Sequence, residues 1–224
     1  MTTTESEQVP DANPSSVTEA SADHTDRKHR KVLGMTLPTI VVELLWLVPI
    51  AIIAALVIKA FVFQAFYIPS GSMEPTLDIG DRVLVNKLSY DFHDVHRGDI
   101  VVFDAPPGTR SNGIQDLVKR VIGLPGDTVT YANGGVLING HRLTEPYLKA
   151  GEQTEELNGI VVPNGCGPPP NGEAGCVVPK DHIFVLGDNR QESRDARVFG
   201  AIKESTIVGR VFVRIWPFNR LGLL

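Results

Sequence analysis

Residues Leu37 to Ile58 read LPTIVVELLWLVPIAIIAALVI, and a run this apolar has few environments open to it. As a helix it spans about 33 Å, close to the hydrocarbon thickness of a bilayer. Its one charge is Glu43, in the first third. A carboxylate at that depth is costly, but near an interface it can snorkel or take up a proton. Pro49 would kink the helix, which membrane helices tolerate better than soluble ones. Lys59 marks a far end, although a helix shifted a few residues later also fits. The expectation is one transmembrane anchor over residues 35–60. The other reading of the same run is a buried helix of a soluble protein.

What precedes the run is its opposite. Residues 1–25 are rich in Ser, Thr, Glu and Pro and nearly free of large apolar groups, so they cannot offset their ordering entropy. Residues 1–34 therefore read as a disordered tail. Five of the six residues from Asp26 to Lys31 are Arg, Lys or His. By the positive-inside rule this cluster holds the N-terminus in the cytoplasm and puts everything after residue 60 outside, in a single-pass cell-membrane protein. A cleaved signal peptide fits less well, because the polar head is long and no clear small-x-small site follows the span. The whole chain has 21 basic and 26 acidic residues and a formal charge of −5, which gives no reason to expect a nucleic acid partner.

From Phe61 the pattern changes to short β-branched runs separated by Gly, Pro, Asn and Asp: FVFQAFYI, RVLVNKL, DIVVF, LVKRVIGL, DTVTY, GVLING, HIFVLGD and IVGRVFVRI. The expected fold class is mainly β, a folded antiparallel or barrel-like domain over residues 61–224 behind the one helix. Residues 144–180, rich in Gly and Pro, read as an insertion or long loop rather than core. Cys166 and Cys176 bracket GPPPNGEAG. In an oxidising compartment a disulfide closing that loop is the natural reading, and two reduced thiols the other. Two cysteines without a neighbouring histidine cannot complete a zinc site.

Three stretches carry chemistry. In PSGSM, Pro69 and Gly71 favour a tight non-helical backbone that can lift the Ser72 hydroxyl clear of a sheet; an ordinary polar turn is the plain alternative. None of the six histidines shows Asp-His-Ser logic. Lys119, in DLVKRVIGLPGD, is the other candidate base. In a strand Lys119 and Arg120 face opposite ways, so one of them should point to the apolar side. A desolvated lysine loses proton affinity, and when neutral it can deprotonate a serine. The alternative is an amphipathic strand with both cations on the surface. The third stretch, GDNRQESRDARVFG, is either a solvated loop or an ion-pair network bracing a site from behind.

IPSGSMEPTL, GDRVLVNKLSY, RGDIVVFDAP, KRVIGLPGD and GDNRQESRDARVFG, in this order behind one span, resemble bacterial type I signal peptidases over roughly residues 60–216. The resemblance implies Ser72 as nucleophile, Lys119 as general base, and Ser70 as oxyanion donor beside the Ser72 backbone N–H. It implies that Ser193 hydrogen-bonds and orients the lysine, and that Asp188, Arg190, Asp195 and Arg197 support the site. Ala196 departs from the serine usual there, which puts one support contact in doubt. Phe66, Ile68 and Met73 match substrate-pocket positions, with simple core packing as the equal alternative. IWPF, residues 215–218, reads either as a bilayer contact or as a buried strand end. The implied substrates are secreted preproteins with signal peptides, cleaved after small residues, with no metal or cofactor. The bilayer is a partner and the secretion machinery an indirect one. A self-cleaving Ser-Lys protease of the repressor type and a membrane-anchored β binding module are the rival readings.

Overall fold

The computed structural model describes residues 37–109, 115–155 and 164–224; the N-terminal tail and its basic cluster lie outside these. The first element is the helix α1 (Leu37–Phe61). Between Val41 and Ile58 its sequence is apolar all round but for Glu43, which suits a helix with no aqueous face. The segment Val41–Ile58 has a mean hydropathy of 2.7 and is long and apolar enough to cross a membrane. Its side chains are exposed.

The larger compact unit, from Ala51 on, is mainly β, as its sequence leads one to expect. Its main sheet contains β1 (Phe63–Tyr67), β2 (Arg82–Asn86), β3 (Ile100–Asp104) and β4 (Asp116–Gly123). A second sheet is built from β5 (Thr128–Ala132), β6 (Gly135–Ile138), β7 (His141–Arg142) and β8 (Gly175–Val177). The chain then returns to the main sheet with β9 (His182–Leu186), β10 (Ile202–Lys203), β11 (Ile207–Trp216) and β12 (Gly222–Leu223). The main sheet runs β1-β2-β11-β3-β4-β9-β10, with β12 paired to β11, and every pairing is antiparallel. Register shifts along β11 and at β4/β9 curl it. Among the described residues it does not close, and β1 and β10 stand at its two ends.

Burial explains why these residues form these strands. In β2 the alternation of RVLVN sends Val83 and Val85 into the interior while Arg82 stays exposed. In β3 four consecutive residues are buried, because apolar clusters cover both faces. Val101 and Phe103 join one cluster with Val121, Ile183 and Phe184. Ile100 and Val102 join the other with Ile68, Met73 and Leu77. The second sheet turns at Asn133-Gly134 and Asn139-Gly140, where all four residues have positive φ. Asn-Gly is the dipeptide that two-residue hairpins of this twist require.

Part of the stretch 144–180 lies inside the core instead of outside it. β8 pairs with β5, and Cys176 and Val178 are fully buried in the first cluster. Glycine and proline counts hid it, since β8 contributes only three residues. Cys166 and Cys176 form a disulfide, with Cα atoms 5.0 Å apart.

Candidate active site

Ser72 sits in a single 3₁₀ turn, Gly71–Met73, between edge strand β1 and the segment leading to β2. Pro69 and Pro75 border the turn, and Met73 and Leu77 anchor it in the core at 1% and 0% exposure. The Gly71 carbonyl accepts hydrogen bonds from the Glu74 N–H and from Asn189 Nδ2, both at 3.1 Å. The Asn189 N–H donates to the Ser72 carbonyl at 3.1 Å. The loop after β9 thus holds the turn from behind and leaves the Ser72 hydroxyl facing β4.

Across from it, Lys119 Nζ donates to Ser72 Oγ at 2.6 Å. Lys119 is only 3% exposed. Burial pulls its pKa down from 10.5 to about 8, against the opposing pull of Asp195 and Asp188. At pH 7 an amine in this range is neutral in about a tenth of molecules, and that form can accept a hydroxyl proton. The two groups border a groove of about 240 Å³. Phe66, Tyr67, Ile68, Pro69, Ser70 and Met73 line one side, and Gln115 to Lys119 the other. Phe66, Ile68 and Met73 line the groove; Ile68 and Met73 also belong to the second core cluster, and Phe66 packs against it. Ser70 is exposed beside Ser72 on the groove.

Lys119 and Arg120 are both buried, so neither is the surface cation that alternation alone suggests. The reason is the cover on both faces of the sheet. Arg120 forks onto Asp188, with Nε to Oδ1 at 2.8 Å and Nη2 to Oδ2 at 2.6 Å. Thr76 Oγ1 also donates to Asp188 Oδ2, at 2.5 Å. One carboxylate therefore ties β4, which carries Lys119, to the segment that carries Ser72.

The stretch 187–197 is an internal network and not a solvated loop. Asp188, Arg190, Asp195 and Arg197 are each 3% exposed or less. Asp195 accepts from Arg197 Nε at 2.9 Å and from the Gly187 N–H at 3.1 Å. Arg197 Nη2 in turn donates to the Arg190 carbonyl at 2.6 Å. Each buried charge is paired and hydrogen-bonded, which is what makes its burial tolerable. Ala196 is fully buried and leaves this network intact. Ser193 departs from expectation. Its hydroxyl is buried and makes no hydrogen bond among the described residues, so the bond to Lys119 implied by the resemblance is absent. Ser193 Oγ instead packs against Gly187, where an added Cβ would stand 2.2 Å from it and 2.4 Å from the Ser72 carbonyl. Among the described histidines, none lines the groove, and no cluster of His, Cys, Asp or Glu could hold a metal ion.

Several residues of this arrangement were not singled out from the sequence. Thr76 and Asn189 lie inside quoted motifs, so only their roles were missed. Glu145, Tyr147 and Thr154 lie in the stretch read as a loop, and no periodic pattern marks them.

A mainly β domain that sets a serine hydroxyl against a buried lysine beside an open groove has the parts of a covalent hydrolase site. The chain matches the family model described as signal peptidase, peptidase S26, over residues 41–216. A probable signal peptidase I-2 from Synechocystis is 43% identical over 176 residues, covering 78% of this chain and 72% of its own length. A signal peptidase I from Bacillus caldolyticus is 42% identical over 190 residues, covering 79% of this chain and 91% of its own. A crystal structure of a signal peptidase I from Enterococcus faecalis is 32% identical and covers 53% of this chain and 97% of its own, with a TM-score of 0.39. The chain belongs to the S26 signal peptidase family.

Proposed function

We propose that this protein is a membrane-bound endopeptidase that removes signal peptides from secreted preproteins, with Ser72 as nucleophile and Lys119 as general base. The observation that carries the reading is the 2.6 Å contact between Lys119 Nζ and Ser72 Oγ at the groove. In the reactive state Lys119 is neutral and accepts the Ser72 proton as Oγ attacks the scissile carbonyl. Ser70 and the Ser72 N–H face the developing oxyanion; one such donor is typically worth about 2.7–4 kcal/mol. Lys119 then protonates the leaving amine, which leaves an ester on Ser72. The same lysine, neutral again, takes a proton from water as its oxygen attacks the ester carbonyl, and returns that proton to Ser72 Oγ as the acyl–oxygen bond breaks. Asp188, Arg190, Asp195 and Arg197 hold the two reacting groups in register.

The substrate enters as an extended segment along β1, whose outer edge has no neighbour in the sheet. Phe66, Ile68 and Met73 then form the apolar floor under its small side chains. Helix α1 anchors the enzyme in the bilayer that also holds the substrate's signal segment, which raises the effective concentration of each for the other. The basic cluster before α1 orients the chain with its N-terminus in the cytoplasm and the β domain outside. Trp216 and Phe218 are 46% and 75% exposed and pack edge to face at 4.8 Å, which suits contact with the bilayer surface rather than a buried strand end. Incubating detergent-solubilised protein with a preprotein bearing an Ala-x-Ala site tests the reading. Cleavage after the second Ala by wild type, and none by Ser72→Ala, is the expected result. A folded wild type that leaves the preprotein intact in added lipid would refute it.

A further inference from the structure

Two buried arginines brace the site, and both are gripped by one short segment outside it. Arg190 is 1% exposed and the largest fully buried side chain among the described residues. Its guanidinium takes Glu145 as a fork, with Nη2 to Oε1 at 2.5 Å and Nη1 to Oε2 at 3.3 Å. Thr154 Oγ1 accepts a further bond from Nη1. Arg120 is 8% exposed, and the ring of Tyr147 lies under it, 3.9 Å from Cζ to the ring centre. The Tyr147 hydroxyl donates to Glu145 Oε1 at 2.8 Å, so the segment's two contacts are joined to each other.

Each arginine leads to one reacting group. Arg190 Nε donates to the Gly187 carbonyl at 2.9 Å. Gly187 packs against the Ser72 carbonyl too closely to accept even a methyl group. Any displacement of Gly187 is therefore felt at Ser72. Arg120 is the residue after Lys119 in β4 and is fixed by Asp188 and by the Gly98 carbonyl at 2.9 Å. The contacts of its guanidinium therefore help to fix the backbone of β4 beside Lys119.

We propose that Tyr147 and Glu145 are positioning residues for the Ser72–Lys119 pair, acting through Arg120 and Arg190. The proposal rests on the Ser-Lys reading above. Neither residue lines the groove beside Ser72 and Lys119. The ring supplies a cation–π face to a desolvated guanidinium, and the carboxylate neutralises a buried cation that has no other carboxylate in salt-bridge contact among the described residues. Loss of either lets its arginine move, and misplacement of a reacting group by about 1 Å can cost around a hundredfold in rate.

The test uses full-length protein in detergent with a preprotein substrate. The variants are Tyr147→Ala, Tyr147→Phe and Glu145→Gln, with Ser72→Ala as control. Tyr147→Ala and Glu145→Gln should lower kcat by about tenfold or more with KM nearly unchanged. The acid limb of the kcat/KM profile should move to higher pH as water reaches the Lys119 surroundings. Tyr147→Phe keeps the ring and should recover most of the loss. If Tyr147→Ala fails to fold, Tyr147→Leu fills the space without ring or hydroxyl and carries the same expectation. A folded variant with a lowered Tm but wild-type kcat and acid limb would show a merely structural role and overturn the proposal. Activity surviving in Ser72→Ala would overturn the catalytic reading itself, a result independent of Tyr147.

Discussion

Lys119→Met replaces a buried amine by an apolar chain of similar length, and the size of the stability change can be worked out beforehand. The Lys119 pKa falls from 10.5 to about 8, chiefly through burial. At about 1.4 kcal/mol for each tenfold change in proton affinity, the folded state carries a penalty of roughly 3 kcal/mol while the lysine is charged. The hydrogen bond to Ser72 offsets about 1 kcal/mol of this. The methionine variant should therefore be more stable by about 2 kcal/mol, which raises Tm by about 4–8 °C in a domain of this size. The sign depends on pH. Below about 8 both folded and unfolded wild type hold the proton, and the penalty is full. Between about 8 and 10.5 the unfolded chain holds a proton the folded one has released, so wild-type stability rises with pH. Above that window the penalty is gone, and the hydrogen bond to Ser72 leaves wild type ahead by about 1 kcal/mol. Thermal unfolding followed by circular dichroism, at intervals across this range, measures the difference. A variant less stable than wild type below pH 8, or a Tm difference that ignores pH, would refute the reasoning.

Three further outcomes follow from the same contacts. The kcat/KM of wild type should climb about tenfold per pH unit on the acid side and level off above an apparent pKa of about 8, set by Lys119 becoming neutral; a profile already flat at pH 6 would exclude it as the base. Asp188→Asn strips Arg120 of its buried carboxylate and should cost about 3–5 kcal/mol in urea unfolding. Reducing Cys166–Cys176, which closes a loop of ten-residue separation, should lower stability by about 2–3 kcal/mol.

The sequence carries the strands of the main sheet because their burial is local: Val83 and Val85 alternate within β2, and β3 is a continuous apolar run. Ser72 and Lys119 stand differently: by residue type alone an ordinary polar turn and an amphipathic strand fit as well, and it is the order of the motifs that singles the two residues out. The bracing charges are harder. Asp188, Arg190, Asp195 and Arg197 look like a solvated run until their partners are known, and the partners lie across the fold. Arg190 meets Glu145 at a sequence separation of 45, which no local pattern encodes. Glu145, Tyr147 and Thr154 are isolated polar groups in a Gly/Pro-rich stretch, so nothing in composition marks them as partners of buried arginines. Ser193 shows the converse. Its place beside the site follows from its motif, while its hydrogen bonding depends on how closely Gly187 packs.

The most direct test of the central claim is to incubate a preprotein bearing an Ala-x-Ala site with detergent-solubilised wild type, Ser72→Ala and Lys119→Met, and to sequence the N-terminus of any product. Cleavage after the second Ala by wild type alone is the predicted result. Cleavage at that bond by folded Lys119→Met would contradict the pairing of Ser72 with Lys119 on which the account depends.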